Sequence, residues 1–329
     1  MAHDPAIMPF PVRSCQLSVR TVTSRALFGR GITVLHGSIV ALVTPFDEQY
    51  RIDYGALRRL IEFHISEGTN GLVIAGTTGE SATLEKGEHV ELIRRAAEMV
   101  EGRIPVIAGT GSNSTRQTVD LSLEVADTAI DGYLLVVPYY NKPVQEGLYQ
   151  HFRTIADALD KPVMLYNVPG RTVADILPET LARLADHPNI FGVKDATGDM
   201  ERMRRHQELL PDDFRYYSGD DFTTLEFLNL GGHGVVTVSG NVAPGQVSDM
   251  CRAVADGSIE KAAEIDESLQ PLNKALFIES NPIPVKWALH EMGLISAVIR
   301  LPLTAYADEF HVQMKDAMQT AGITIGNQL

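Results

Sequence analysis

The sequence predicts an α/β protein built as a (β/α)8 TIM barrel with a C-terminal helical appendage. Three observations lead there. Eight short runs rich in Val, Ile, Leu and Tyr recur between residues 37 and 241, each ending in polar or glycine residues. Segments of helical periodicity separate them. Neither a GxGxxG turn nor a P-loop, the marks of many open doubly wound sheets, occurs in the chain.

The runs are "GSIVALVTPF" (37–46), "NGLVIAGTTGE" (70–80), "IPVIAGTG" (104–111), "GYLLVVPYY" (132–140), "KPVMLYNVP" (161–169), "NIFGVKDAT" (189–197), "FRYYSGDD" (214–221) and "GVVTVSGN" (234–241). Their near-continuous apolar character suits strands covered on both faces, as in a parallel sheet. Between the first two, "DYGALRRLIEFHISEG" reads as a helix. Asp53 caps its start, Leu57, Leu60, Ile61 and Ile65 make one stripe, and Gly68 closes it. Similar patterns cover 85–101, 115–129, 145–159, 178–186, 200–210 and 222–230. "GTGSNS" at 109–114 lacks a third glycine and argues little for dinucleotide binding.

Beyond residue 257 the strand rhythm stops. "SIEKAAEIDESLQPLNKALF", "NPIPVKWALHEMG" and "TAYADEFHVQMKDAMQTAG" read as helices broken by Pro and Gly. The expected divisions are an N-terminal extension (1–36), a catalytic barrel (37–257) and a C-terminal helical domain (258–329). The extension carries Arg13, Arg20, Arg25 and Arg30 with Asp4 as its one acid. A disordered tail or translated upstream region is preferred to a transit peptide of similar composition.

A hydrophobic content of 44% leaves ample core material, and a net charge of −14 argues against nucleic-acid binding. No apolar run approaches a membrane span. Cys15 and Cys251 form no paired motif, which fits a reduced, cytoplasmic protein without a disulfide framework or zinc site.

Active sites of such barrels lie at the C-terminal strand ends. Those ends deliver Thr44, Thr77, Thr78, Glu80, Thr110, Tyr139, Tyr140, Tyr166, Asn167, Lys194, Ser218, Asp220 and Asp221, with Arg171 and Asn241 on nearby loops. The set lacks the clustered His, Asp and Glu of a metal site. Lys194 is its one lysine. Apolar surroundings disfavour the ammonium and release a nucleophilic amine, which forms a Schiff base with a carbonyl. Tyr166 could move the proton, with Thr78 and Tyr140 as relay members. The alternative is a buried ion pair with Asp195, Asp220 or Asp221. Thr77 and Thr78 either close a tight turn or hold a carboxylate. Arg171 is either an ordinary surface residue or a bidentate carboxylate ligand.

Taken together, "GTTGESATL", "PYYNKPVQEGLYQHF", "YNVPGRT", "GVKDATGD", "SGDD", "GGHGVVTVSGNVAP" and "NPIPVKWAL" resemble the dihydrodipicolinate synthase family over residues 37–325. The resemblance implies condensation of pyruvate with L-aspartate 4-semialdehyde, without cofactor or metal, in lysine and diaminopimelate biosynthesis. It makes Lys194 the imine-forming residue and Tyr166 the general acid/base, linked through Thr78 to Tyr140. Tyr140 is expected from a neighbouring subunit of a tight dimer, itself half of a dimer of dimers. Thr77 and Thr78 would contact the pyruvate carboxylate and Arg171 that of the semialdehyde, with Gly219 and Val236 lining the pocket.

A lysine-binding cleft of the family corresponds to Ser81, Ala82, Lys86, His89, Asn113, Gln117 and Tyr139. Here Lys86 replaces a histidine and Gln117 a glutamate, so weak or absent lysine feedback is expected. The alternatives are another pyruvate-dependent aldolase, acting on N-acetylneuraminate or a 2-keto-3-deoxy-sugar acid, and a non-catalytic barrel that only binds.

Overall fold

The computed structural model of the chain describes residues 35–326. The extension expected over residues 1–36 therefore lies, apart from Leu35 and His36, outside the described residues.

The strands are β1 (Gly37–Ala41), β2 (Gly71–Ile74), β3 (Val106–Gly109), β4 (Gly132–Val136), β5 (Val163–Asn167), β6 (Ile190–Asp195), β7 (Arg215–Ser218) and β8 (Gly234–Thr237). All pair in parallel, in chain order, and β8 returns to β1 to close the barrel. Each strand falls inside one of the eight apolar runs. Closure removes the exposed sheet edge, so every strand is covered inside and out.

Alternation along the strands divides the core in two. Ile39, Ala41, Val73, Ile107, Leu134, Met164, Tyr217 and Val236 point inward and fill the barrel. Leu35 joins them, and its carbonyl accepts the Tyr217 hydroxyl at 2.8 Å. Leu35, two residues before the first strand, is thus part of the barrel packing. Outward-facing Val40, Leu72, Leu135, Val193 and Val235 pack against the helices.

Those helices begin with α1 (Tyr54–Ser66), where Asp53 accepts the Ala56 N–H at 2.9 Å and Leu57, Leu60 and Ile61 are buried. Full burial of each such side chain contributes about 1.5–3 kcal/mol. Next come α2 (Lys86–Val100), α3 (Thr115–Glu124), α4 (Gln145–Ala158), a single turn α5 (Pro169–Thr172), α6 (Pro178–Ala185), α7 (Met200–Leu209), α8 (Thr224–Asn229) and α9 (Pro244–Ala255). Helix α3 stops at Glu124 instead of reaching 129. The chain turns there, and the Thr128 hydroxyl bonds the Val125 carbonyl at 2.6 Å. The short α5 had no periodic pattern to betray it.

After α9 follow α10 (Ile259–Leu276), α11 (Ile283–Glu291) and α12 (His311–Thr320). They fold back onto the barrel. In α10, Asn273 bonds the Ser239 hydroxyl at 2.5 Å and the Asp221 carbonyl at 3.1 Å. In α11, Lys286 reaches Glu80 at 2.5 Å, with both side chains wholly buried. Glu80 was expected on the open rim. It lies instead beneath the turn after β2, where a buried carboxylate needs a cation. No described helix is long and apolar enough to cross a membrane.

Candidate active site

Parallel pairing sets the central geometry. Across β5, β6 and β7, Tyr166 pairs with Lys194 and Lys194 with Tyr217. Residues in register share a face of the sheet. Tyr166 and Tyr217 point into the barrel, so Lys194 does too. Lys194 is 5% exposed, and its Nζ lies 4.2 Å from the centroid of the Tyr166 ring.

Among the described residues, no carboxylate forms an ion pair with Lys194. The three candidate partners are engaged elsewhere. Asp195 faces outward and accepts from Thr197 N at 2.9 Å, Arg202 Nε at 3.2 Å and Asn167 Nδ2 at 3.3 Å. Asp220 caps the following turn through Thr223 N at 3.2 Å and Oγ1 at 2.7 Å. Asp221 accepts the Val238 and Ser239 N–H groups at 2.9 and 3.0 Å. Burial pulls the Lys194 ammonium down to about 8; the charge of Asp221 opposes this and that of Arg171 adds to it.

Burial also raises the Tyr166 phenol, against the charge of Arg171 and the influence of the nearby Thr77 hydroxyl. The relay was expected to run through Thr78. Thr77 is the hydroxyl beside the phenol, whereas Thr78 Oγ1 accepts from Asn281 Nδ2 at 2.9 Å. Ala75, at a left-handed φ of 57°, turns the chain between β2 and the two threonines.

Tyr140 does not enter this cluster in its own chain. It stands 89% exposed after β4, at a left-handed φ of 73°. Holding a bulky residue there costs about 1–3 kcal/mol, and such strain gathers at functional sites. Arg171, in α5, is exposed at the barrel mouth, and its Nη2 donates to the Asn281 carbonyl at 3.1 Å.

Gly219 is required by Lys194. A Cβ there would come within 2.8 Å of Lys194 Cε and equally close to the Ala196 Cβ. Val236 is buried in β8 among the inward-facing residues.

Around the turn after β2 and the start of α2 lie the residues matched to the lysine cleft. Ser81 is partly buried and Ala82 exposed. Lys86 pairs with Glu124, while buried His89 bonds the Gly109 carbonyl at 2.8 Å. Asn113 donates to the Tyr139 carbonyl at 3.2 Å, and Gln117 is exposed on the first turn of α3. Asn281 was not singled out as a site residue. Its presence inside the quoted "NPIPVKWAL" was the available signal.

The model of the Dihydrodipicolinate synthetase family matches residues 34–321. The chain belongs to this family. A 4-hydroxy-tetrahydrodipicolinate synthase of Pseudomonas aeruginosa is 56% identical over 290 residues, 88% of this chain and 99% of the relative. Among solved structures, a chloride-inhibited dihydrodipicolinate synthase of Acinetobacter baumannii complexed with pyruvate aligns with a TM-score of 0.86. It is 47% identical and covers 88% of this chain and all of its own. A synthase of the same family from Cyanidioschyzon merolae with lysine bound aligns with a TM-score of 0.85 at 42% identity, covering 88% of this chain and 99% of its own. The family match includes every residue of the barrel-mouth cluster.

Proposed function

We propose that the chain condenses pyruvate with L-aspartate 4-semialdehyde to 4-hydroxy-tetrahydrodipicolinate through an imine on Lys194. The observation that carries this reading is a buried, inward-facing lysine with no carboxylate partner among the described residues, set against a tyrosine ring. The enzyme is a lyase of lysine and diaminopimelate biosynthesis, and the cytoplasm is its expected compartment.

Neutral Lys194 Nζ adds to the pyruvate keto carbon, and the carbinolamine loses water to give a protonated imine. That cation accepts the electrons left when a methyl proton departs, so an enamine forms. The enamine carbon attacks the semialdehyde carbonyl. The new product's own amine then displaces Lys194 from the imine carbon, closing the ring and freeing the enzyme. Tyr166 delivers and recovers protons in these steps. Thr77 lies beside its hydroxyl, and Tyr140 of the partner subunit would complete the relay.

Arg171 at the mouth suits the semialdehyde carboxylate, the turn at Thr77 and Thr78 the pyruvate carboxylate, and Gly219 and Val236 the pocket wall. A tight dimer, itself half of a dimer of dimers, is the proposed assembly, and the exposure of Tyr140 supports a role for it in a neighbouring site. The barrel at 37–257 and the helices at 258–329 are proposed as the working divisions. A coupled assay comparing L-aspartate 4-semialdehyde with sugar aldehydes tests the substrate. Turnover with the semialdehyde alone is expected; preference for a sugar aldehyde would favour the other aldolase reading.

A further inference from the structure

Asn281 joins the two polar parts of the barrel mouth. Its Nδ2 donates to Thr78 Oγ1 at 2.9 Å, and its main-chain carbonyl accepts from Arg171 Nη2 at 3.1 Å. The residue is 6% exposed, yet its Oδ1 has no hydrogen-bond donor among the described residues. A buried acceptor left unmade is costly, and such atoms in native proteins are commonly met by a ligand or an ordered water.

We propose that Asn281 Oδ1 accepts a hydrogen bond from the α-ammonium of the aldehyde substrate and selects for it. This rests on the proposed function above and names the group that reads its second substrate. In an α-amino acid the ammonium and carboxylate share one carbon. A guanidinium for the carboxylate therefore needs an acceptor for the ammonium close by. Asn281 is bonded to Arg171 itself. Charge favours the same assignment: Lys194 and Arg171 make the mouth locally cationic, which repels an ammonium unless an oxygen meets it. The carboxylates of Asp195, Asp220 and Asp221 already accept from Arg202, Thr223 and the Val238 and Ser239 amides. The Asn281 amide oxygen is a buried acceptor with no donor among the described residues.

The test compares L-aspartate 4-semialdehyde with succinate semialdehyde, which lacks the ammonium, as substrate and as competitor, in wild type, Asn281→Ala and Asn281→Asp. Loss of a hydrogen bond to a charged group corresponds to roughly 10- to 100-fold in selectivity. Asn281→Ala is expected to lose about that much preference for the amino aldehyde; an effect on pyruvate binding through Thr78 is common to both aldehydes and leaves their ratio unchanged. Asn281→Asp, which keeps an acceptor but cannot donate to Thr78, is expected to retain the preference. Unchanged preference in Asn281→Ala, or an Asp variant as unselective as Ala, would overturn the assignment and leave Asn281 as a brace for Thr78. Borohydride trapping of pyruvate on wild-type Lys194 separates the two readings. If trapping succeeds and selectivity does not move, only the Asn281 role falls; if trapping fails, both fall.

Discussion

Lys194 Nζ lies 4.2 Å from the Tyr166 ring centroid, on adjacent strands in register, with no carboxylate paired to it among the described residues. The chain holds a contrasting case in Lys286, also buried but bonded to Glu80 at 2.5 Å. One lysine is fixed by an acid, and the other is left available for chemistry.

Imine formation should follow the deprotonation of Lys194. The nucleophile is the neutral amine, so the rate rises with pH up to about 8 and levels off above it. Single-turnover measurements with pyruvate, quenched and assayed for the imine, would show that inflection. A rise continuing to the ordinary lysine value would mean that the amine is not desolvated.

Gly219→Ala should disable the site beyond its effect on folding. The added methyl meets Lys194 Cε at 2.8 Å and must displace it. Overpacking of this kind costs about 1–3 kcal/mol, which a folded barrel can absorb. Turnover is expected to fall at least about tenfold while the chain remains folded by circular dichroism, because reaction geometry tolerates little misplacement. Wild-type turnover would show that Lys194 has room the structure does not give it.

Lys286→Met should destabilise the fold by about 3–5 kcal/mol, since it leaves Glu80 charged and buried without its partner. Replacing both, as Glu80→Gln with Lys286→Met, is expected to recover part of that loss. Urea unfolding of the two variants checks this. Equal destabilisation would show that the charges are not coupled.

Much of this architecture was legible in the chain, for identifiable reasons. The eight strands are covered on both faces, so their apolar runs stand out between polar turns. Lys194 stood out because a lysine at the end of such a run must be paired or used. The different surroundings of the adjacent Thr77 and Thr78 were not legible, because the Asn281 that bonds Thr78 lies far away along the chain and no pattern marks the left-handed step at Ala75 before them. Asn281 was hidden by distance along the chain, 203 positions from Thr78 and 110 from Arg171. Only the folding back of the C-terminal helices brings it to the mouth. Glu80 was misplaced for the same reason, since its partner Lys286 lies 206 positions away.

Tyr140→Phe should lower turnover without disturbing the fold, because a residue 89% exposed in its own chain supports little packing there. Mixing Tyr140→Phe with Lys194→Ala chains should restore part of the activity, as sites pairing an intact Lys194 with an intact partner Tyr140 would form. Full activity of Tyr140→Phe alone would remove the phenol from the relay.

L-Lysine should inhibit weakly. Lys86 puts a cation, paired with Glu124, beside the matched cleft, and Gln117 offers no carboxylate to an ammonium. An initial-rate titration checks it, and strong inhibition at low lysine would contradict it.

The most direct test is borohydride reduction in the presence of pyruvate, followed by peptide mass analysis. A stable pyruvyl-derived addition on Lys194, absent from Lys194→Ala and from protein reduced without pyruvate, is the predicted result. Folded wild-type protein with Lys194 unmodified, or carrying the addition on another lysine, would contradict the account.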